Sequence, residues 1–509
     1  MSSKVISAAI IGLDCEKVEV EADLFPSFRD PFIVVGLPDT AVKESKERVR
    51  SAIKNSNFDF PRQRVIINLA PADLQKEGPS YDLPIAVSIL AMRGYLKTKS
   101  PNLFEKSLFV GELSLDGSLR GINGALSIAI FAKAKKYENL FLPSFNADEA
   151  SIITGINIYP VDNLSQLADH LIGKTEIISV KNRKIVFEFK EDENYDMAFI
   201  KGQEHVKRAM EIAAAGAHNI LFCGTPGAGK TLLARTMPTI MPQLTFEEAL
   251  EVTRIYSISG HLKANQPLIL HRQFRSPHHT SSGVALVGGG RFPKPGEITL
   301  AHRGVLFLDE FPEFPRATLE NLRQPLEDGV ITVSRASGSV MYPAKFILIA
   351  AQNPCPCGYF GDPEKECTCN TAQILKYQKK ISGPLLDRID LHIDVPRVKF
   401  EKLSSDKTAE NSKEIRQRVQ KARDIQINRF KEKEIWTNSE MLSKDVKEFC
   451  QIDNKTQELL KNAVIQLHLS ARSYYRVLKI SRTIADLAGD ENIRLKYVAE
   501  ALQYRPKIE

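Results

Sequence analysis

Two short stretches hold residue types that can do chemistry together: GTPGAGKT, from Gly224 to Thr231, and GVLFLDE, ending in Asp309 and Glu310. In the first, Gly224, Gly227 and Gly229, with Thr225, Pro226 and Ala228 between them, let the backbone wrap tightly enough for its N–H groups and the next helix N-terminus to face phosphate oxygens. Lys230 is then placed to meet β- and γ-phosphates, and the Thr231 hydroxyl to coordinate Mg²⁺. In the second stretch four apolar positions predict a central strand whose C-terminal end presents two carboxylates, where open α/β sheets bind ligands. Asp309 is suited to hold Mg²⁺ and Glu310 to polarise an attacking water, although an acidic pair at a strand end can also cap a helix. The surroundings decide between a phosphate loop and a chance glycine turn: an apolar strand, NILFCG, precedes the glycines, and a helix, LLARTM, follows Thr231.

Three further residues extend the set. ILIAAQNP ends a predicted strand on Asn353, suited to orienting water. SGPLLDRIDLHIDV presents Arg388 at a helix end, and LSARSYYRVLKISRTIADLA presents Arg472 at a helix start. Either arginine alone reads as a surface cation. In this order and spacing the residues resemble the sensor-1 asparagine, arginine finger and sensor-2 arginine of AAA+ ATPases. In such proteins the finger reaches the γ-phosphate bound by a neighbouring subunit, so the resemblance implies a ring, most often a hexamer.

Positioning these residues takes more than one core, because 509 residues exceed what a single domain buries. An apolar content of 43% with 26% charge describes a globular protein, and a net charge of +7 suits a patch that meets polyanions without proving one. No apolar run approaches the roughly 18 residues that would cross a bilayer, and the N-terminus lacks the marks of a signal peptide. A cytoplasmic protein with no membrane partner is the expectation. Residues 1–172 alternate strand-like runs (KVEVEADL, PFIVVGL, RVIINLA, SLFVGELSL, NLFLP) with helix-like ones and predict an α/β domain. A charged connector at 173–197 follows, then an α/β core at 198–398 with a parallel sheet, then charged helical segments at 399–509 that read as an all-helical lid.

Four of the seven cysteines bunch as CPCGYFGDPEKECTC: Cys355, Cys357, Cys367 and Cys369. Four thiolates on two turns suit one tetrahedral Zn²⁺; an unmetallated loop or redox-active thiols are the other readings. Cys15, Cys223 and Cys450 are isolated and read as packing residues.

FRSPHHTSSGVALVGGGRFPKPGEITLAHRGVLFLDE is similar to the magnesium-chelatase-related branch of AAA+ proteins. With NPCPCGYFGD, SGPLLDRIDLHIDVP and ARSYYRVLKISRTIADLAG, the chain resembles the ComM/YifB family over nearly its whole length. That resemblance implies a hexameric ring using ATP and Mg²⁺ to branch-migrate DNA during homologous recombination or natural transformation. Arg275, His278, His279, Arg291 and Lys294 are the residues that would grip a DNA backbone, or else pair within the fold. KEGPSYDLPIAVSIL and LFVGELSLDGSLRGINGALSIAIFAKA resemble the Lon protease domain, which has a ribosomal S5 domain 2-like fold. Ser80 falls at that family's nucleophile, but Leu126 stands at the general base, and leucine accepts no proton. A Lon-like fold without peptidase activity, used as a scaffold or DNA-binding collar, follows. The competing readings are a magnesium-chelatase motor or protein-remodelling chaperone, an ATP-dependent protease, and a nucleotide-gated module that never hydrolyses.

Overall fold

The computed structural model describes residues 2–26, 32–97, 102–180, 194–263, 266–290, 293–335, 338–398 and 409–506. Most of the charged connector, 181–193, and the entry to the C-terminal helices, 399–408, lie outside them. Two compact units divide the chain: Met1–Phe187 with Ala249–Ile269, and Glu188–Glu248 with Leu270–Glu509.

In the first unit seven strands form a mixed sheet, in the spatial order Phe32–Val35, Arg64–Ala70, Asp14–Phe25, Ser3–Ile11, Ser107–Phe109, Asn139–Pro143, Asn157–Val161. Four of the five strand-like runs fall on these strands; SLFVGELSL divides, Ser107–Phe109 joining the sheet and Glu112–Leu113 pairing in a separate hairpin with Leu119–Arg120. Helix Thr40–Asn55 is amphipathic, with Val42, Val49, Ala52 and Ile53 buried and Asp39 capping its first turn through Val42 N–H. Helix Asp82–Met92 buries nearly every side chain; its two polar ones are satisfied there, Asp82 by Arg48 at 2.7 Å and Ser88 by the Ile85 carbonyl at 2.8 Å. Ala249–Ile269, which lies between the phosphate loop and Asp309 in sequence, packs here. Arg254 donates to the Leu13 carbonyl (2.6 Å) and pairs with Asp14 (2.9 Å), and Ser257 donates to buried Glu149. Glu149 also accepts Leu126 N–H at 2.9 Å, satisfying an orphan donor in the first turn of helix Ala125–Ala134.

In the second unit five parallel strands lie in the order Phe274–Arg275, Val305–Leu308, Ile347–Gln352, Ile220–Gly224, Leu391–Val395. Val305–Leu308 is buried at all four positions, as a strand covered on both faces requires. Each such fully buried Val, Leu, Ile or Phe contributes about 1.5–3 kcal/mol. Helices Ser412–Arg429, Asn454–Gln466, Ala471–Leu487 and Leu495–Gln503 are the helical C-terminus the sequence predicts. Asn411, Asp453 and Ser470 cap three of them with side-chain oxygens. These helices share one hydrophobic core with the sheet. Arg423 and Gln426 donate to the Ala214 and Ala215 carbonyls at the end of helix Glu204–Gly216, the orphan acceptors of that terminus. No helix among the described residues is long and apolar enough to cross a membrane.

Asp390 ties strand Leu391–Val395 to this helical layer. Its carboxylate accepts Asn219 N–H (2.9 Å) and Arg476 Nη1 (2.5 Å), with His218 Nδ1 at 3.7 Å. Burial alone would raise its pKa, but Arg476 and His218 hold it well below the usual carboxylate range. The folded state therefore keeps Asp390 ionised at pH values where the unfolded chain protonates it. That stabilisation is complete above about pH 4 and fades as pH falls through the lower folded value. Asp390→Asn is expected to cost about 3–5 kcal/mol in urea unfolding at neutral pH, because Arg476 loses its buried partner. The variant should also lose less stability than the wild type between pH 4 and pH 2.

Candidate nucleotide site

The phosphate loop leaves strand Ile220–Gly224 and enters helix Lys230–Ile240 at once. Gly227 and Gly229 sit at φ +79° and +86°, backbone that L side chains rarely adopt, with open space where a Cβ would point. The parallel register sets Cys223 beside Gln352 and Leu308 beside Ala350, so the chain emerges at 224, 309 and 353 along one edge. Side chains from the three exits meet there. Lys230 Nζ donates to Asn353 Oδ1 (3.0 Å) and to the carbonyls of Gly224 (2.6 Å) and Thr225 (3.1 Å). Burial pushes its ammonium below the ordinary lysine value, while Asp309 draws it back up. The Thr231 hydroxyl donates to Asp309 Oδ2 (2.9 Å), and Asp309 Oδ1 accepts Glu310 N–H (2.9 Å). Thr231 and Asp309 thus form an oxygen-only pair that fits a hard cation such as Mg²⁺.

Arg388 and Arg472 do not join this group; they meet each other. Both guanidinium groups hold one carboxylate, Glu327, Arg472 at 2.5 Å and Arg388 also donating to the Pro384 carbonyl at 2.6 Å. Arg388 is buried, and its Nε–H has no partner among the described residues.

Of the residues offered for DNA contact, Arg275 forms a two-pronged pair with Glu297 at 2.6 Å, and His279 lies 3.0 Å from Glu310. Pairing within the fold is therefore what the structure shows for these two. His278 is exposed, and Lys294 lies in a short hairpin, Gly288–Gly289 with Lys294–Pro295. Arg291 lies outside the described residues. In the first unit Leu126 is fully buried, and Lys76, four residues before Ser80, gives its ammonium to the Pro71 carbonyl.

Sequence reasoning missed the supports of the phosphate loop. Gln203, at φ +57°, donates to the Ala228 carbonyl (3.0 Å) and the Pro396 carbonyl (2.8 Å), pinning the loop from below. Its signal was faint, a Gly-Gln pair before a helix. Arg397 lies between Thr225 Oγ1 and Asp362 Oδ2, 3.3 Å from each, and over the Tyr359 ring. Gly358 touches the loop directly: a Cβ there would stand 2.6 Å from Pro226 Cδ. Tyr359, Asp362 and Gly358 all belong to the cysteine segment.

In that segment the four sulfurs of Cys355, Cys357, Cys367 and Cys369 lie within 4.8 Å of one another. Three of their separations are 3.3, 3.6 and 3.7 Å, near the roughly 3.8 Å edge of a tetrahedron with Zn–S bonds of about 2.3 Å. Without a metal the cluster shares its protons unevenly: the Tyr359 N–H holds the Cys357 thiol down at about 5, while at Cys367 and Cys369, against a main-chain hydrogen bond that lowers each, burial and the neighbouring thiols push the thiols up; a bound metal would release those protons.

Three family descriptions match along the chain: subunit ChlI of Mg-chelatase at residues 20–146, magnesium chelatase subunit ChlI at 196–403, and its C-terminal part at 409–505. Competence protein ComM of Haemophilus influenzae is 42% identical over 99% of this chain and 97% of its own length. The chain belongs to the ComM/YifB family. YifB of Escherichia coli, another member, is 40% identical over 99% of this chain and 97% of its own length. Outside the family, the magnesium-chelatase 67 kDa subunit of Heliobacterium mobile is 25% identical over 31% of the chain. The parallel sheet and helical C-terminus accord with a magnesium-chelatase-like AAA+ fold.

Gly358→Val tests the contact between the cysteine segment and Pro226. The new side chain collides with the proline and occupies φ +86°, which costs about 1–2 kcal/mol. Affinity for a fluorescent ATP analogue should fall about tenfold or more, while the chain still melts cooperatively. Unchanged affinity would show that the two loops move independently.

Proposed function

We propose that this chain is an ATP-driven DNA motor that forms a ring and moves branched DNA in homologous recombination, including the recombination of incoming DNA. The observation that carries the ATPase reading is the meeting of Lys230, Thr231, Asp309 and Asn353 at one sheet edge, with Glu310 beside them. Thr231 and Asp309 would hold Mg²⁺, which neutralises charge on the β- and γ-phosphate oxygens when bound. Glu310 accepts a proton from water as its oxygen bonds to the γ-phosphorus. The bond to the β–γ bridging oxygen breaks, and ADP and phosphate leave.

Arg388 and Arg472 are gathered on Glu327 and not on the chain's own phosphate loop; leaving that carboxylate, Arg388 would serve as a finger at a neighbour's γ-phosphate, with Arg472 as the sensor-2 arginine. This supports a homo-oligomer, for which we propose a hexamer. DNA as the cargo is supported by full-length likeness to a protein named for competence. The first unit is a Lon-like collar without peptidase activity, and Cys355, Cys357, Cys367 and Cys369 hold one structural Zn²⁺. A cytoplasmic location fits all of these roles. The second reading is remodelling of a protein partner, favoured by the chelatase match at residues 196–403.

ATP turnover without DNA and with single-stranded, duplex or four-way-junction DNA tests the proposal. Stimulation by DNA, with Lys230→Ala and Glu310→Gln both silent, is expected. Turnover indifferent to every DNA would hand the lead to protein remodelling. Mixing Lys230→Ala with Arg388→Ala chains should restore turnover that neither has alone, because each supplies what the other's interface lacks. Metal analysis should find one zinc per chain, absent from a Cys357→Ser, Cys369→Ser double variant.

A further inference from the structure

The edge of the five-stranded sheet opposite the phosphate loop opens on a cleft of about 450 Å³, within the roughly 300–1,000 Å³ of small-ligand sites. Asn219, Gly304, Ile347 and Asp390 line it, each at or next to the first residue of a strand. The phosphate loop leaves the other end of Ile220–Gly224, so the two sites lie at opposite ends of one strand. Helices Ser412–Arg429 and Ala471–Leu487, the 435–442 segment and the 325–329 turn supply the rest of the lining.

The carboxylates of this cleft are engaged. Glu248 pairs with Arg272 at 3.0 Å, Glu440 with Arg303 and Lys345 at 3.3 Å each, and Asp390 with Arg476 at 2.5 Å. Two lining cations have only main-chain carbonyls as hydrogen-bond partners among the described residues. Arg423, 5% exposed, donates to Ala214 and Ala215, and Lys479 Nζ donates to Ser439 at 2.9 Å. Burial pushes both below their ordinary values; Glu248 and Asp390 oppose that from a distance, and Arg272 and Arg476 stand near enough to add to it. Crowded cations in a partly enclosed cleft, short of matching carboxylates, favour the entry of a multiply charged anion. Leu326, Phe346, Ile435 and Leu442 give the same cleft an apolar surface, with Leu442 71% exposed.

We propose that this cleft is a second ligand site, distinct from the ATP site, where Arg423, Arg476, Lys479 and Lys345 bind the phosphate groups of a small molecule. Guanidinium forks and ammonium groups together match a group with several acceptor oxygens and more than one charge. Exposed Glu327 also lines the cleft, so an occupant lies beside the carboxylate that holds Arg388 and Arg472. The site depends neither on what the motor moves nor on whether it hydrolyses ATP.

Trp436 reads the cleft directly. It is the chain's only tryptophan, it lies between Ile435 and Thr437 of the lining, and the Arg303 guanidinium stands over its ring at 4.3 Å. The test follows its fluorescence during titration with pyrophosphate at constant ionic strength, in wild type, Lys479→Gln, Lys479→Arg, Lys345→Gln and Lys230→Ala. A saturable change is expected in wild type and in Lys230→Ala, whose phosphate loop is weakened. Binding should be about tenfold weaker or more in Lys479→Gln, weaker also in Lys345→Gln, and close to wild type in Lys479→Arg. ADP titrated into Lys230→Ala separates two sources of phosphate: binding tighter than pyrophosphate assigns a nucleotide with its base on the apolar surface, and weaker binding assigns an inorganic polyphosphate. No saturable change in wild type overturns the site. So does a change that disappears in Lys230→Ala, which would belong to the phosphate loop, or citrate binding as tightly as pyrophosphate. Unaltered affinity in Lys479→Gln with cooperative melting intact also overturns it; if that variant does not fold, unaltered affinity in Lys345→Gln does the same.

Discussion

The parallel register of the five-stranded sheet is the constraint on which the rest of the second unit depends. Main-chain hydrogen bonds set Ile220–Gly224 between Ile347–Gln352 and Leu391–Val395, with Val305–Leu308 one strand further out. Because the strands are parallel, all their C-terminal ends fall on one edge, and residues 224, 309 and 353 arrive there from distant parts of the chain. A slip of one residue in any strand would turn its exit to the other face and part Lys230 from Asn353 or Thr231 from Asp309. The apolar runs before each exit hold that register, since slippage would also expose buried Val, Leu and Ile side chains.

Two layers of support follow from that edge. Beneath it, Gln203 and the shared core with the C-terminal helices fix the phosphate loop and the helix leading from it. Beside it, the cysteine segment leans on Pro226 through Gly358 and on Thr225 through Arg397. A loop of glycines is free to take many shapes, and ordering it costs conformational entropy at every residue. Contacts that restrict the loop before phosphate binds reduce what binding must pay. The cysteine segment is thus part of the nucleotide site's architecture.

Charge is arranged in the same economical way. Cations that would be costly to bury alone are shared out: Arg388 and Arg472 on Glu327, Arg476 on Asp390, Arg272 and Arg303 around Glu248. Each pairing joins elements far apart in sequence. Among the described residues Arg423 has no carboxylate at hydrogen-bond distance; its guanidinium binds main-chain carbonyls instead, and burial pushes its pKa down to about 10.

Much of this was legible in the sequence. GTPGAGKT and GVLFLDE declare a phosphate loop and a carboxylate pair, because phosphate wrapping needs glycine torsions and a buried strand needs an unbroken apolar run. Periodicity marked the strands of the first unit and the helices of the C-terminus, and the bunched cysteines announced their own proximity. Local spacing fixes such features, since they depend on backbone torsions and on neighbours a few residues away. Tertiary structure alone decided the rest. Nothing local says that Arg388 and Arg472, 84 positions apart, meet on Glu327, that Ala249–Ile269 packs with the first unit, or that His279 comes within 3.0 Å of Glu310. Those contacts exist because the sheet register and the helical layer bring distant segments together, and a polar side chain takes whichever partner that packing leaves within reach.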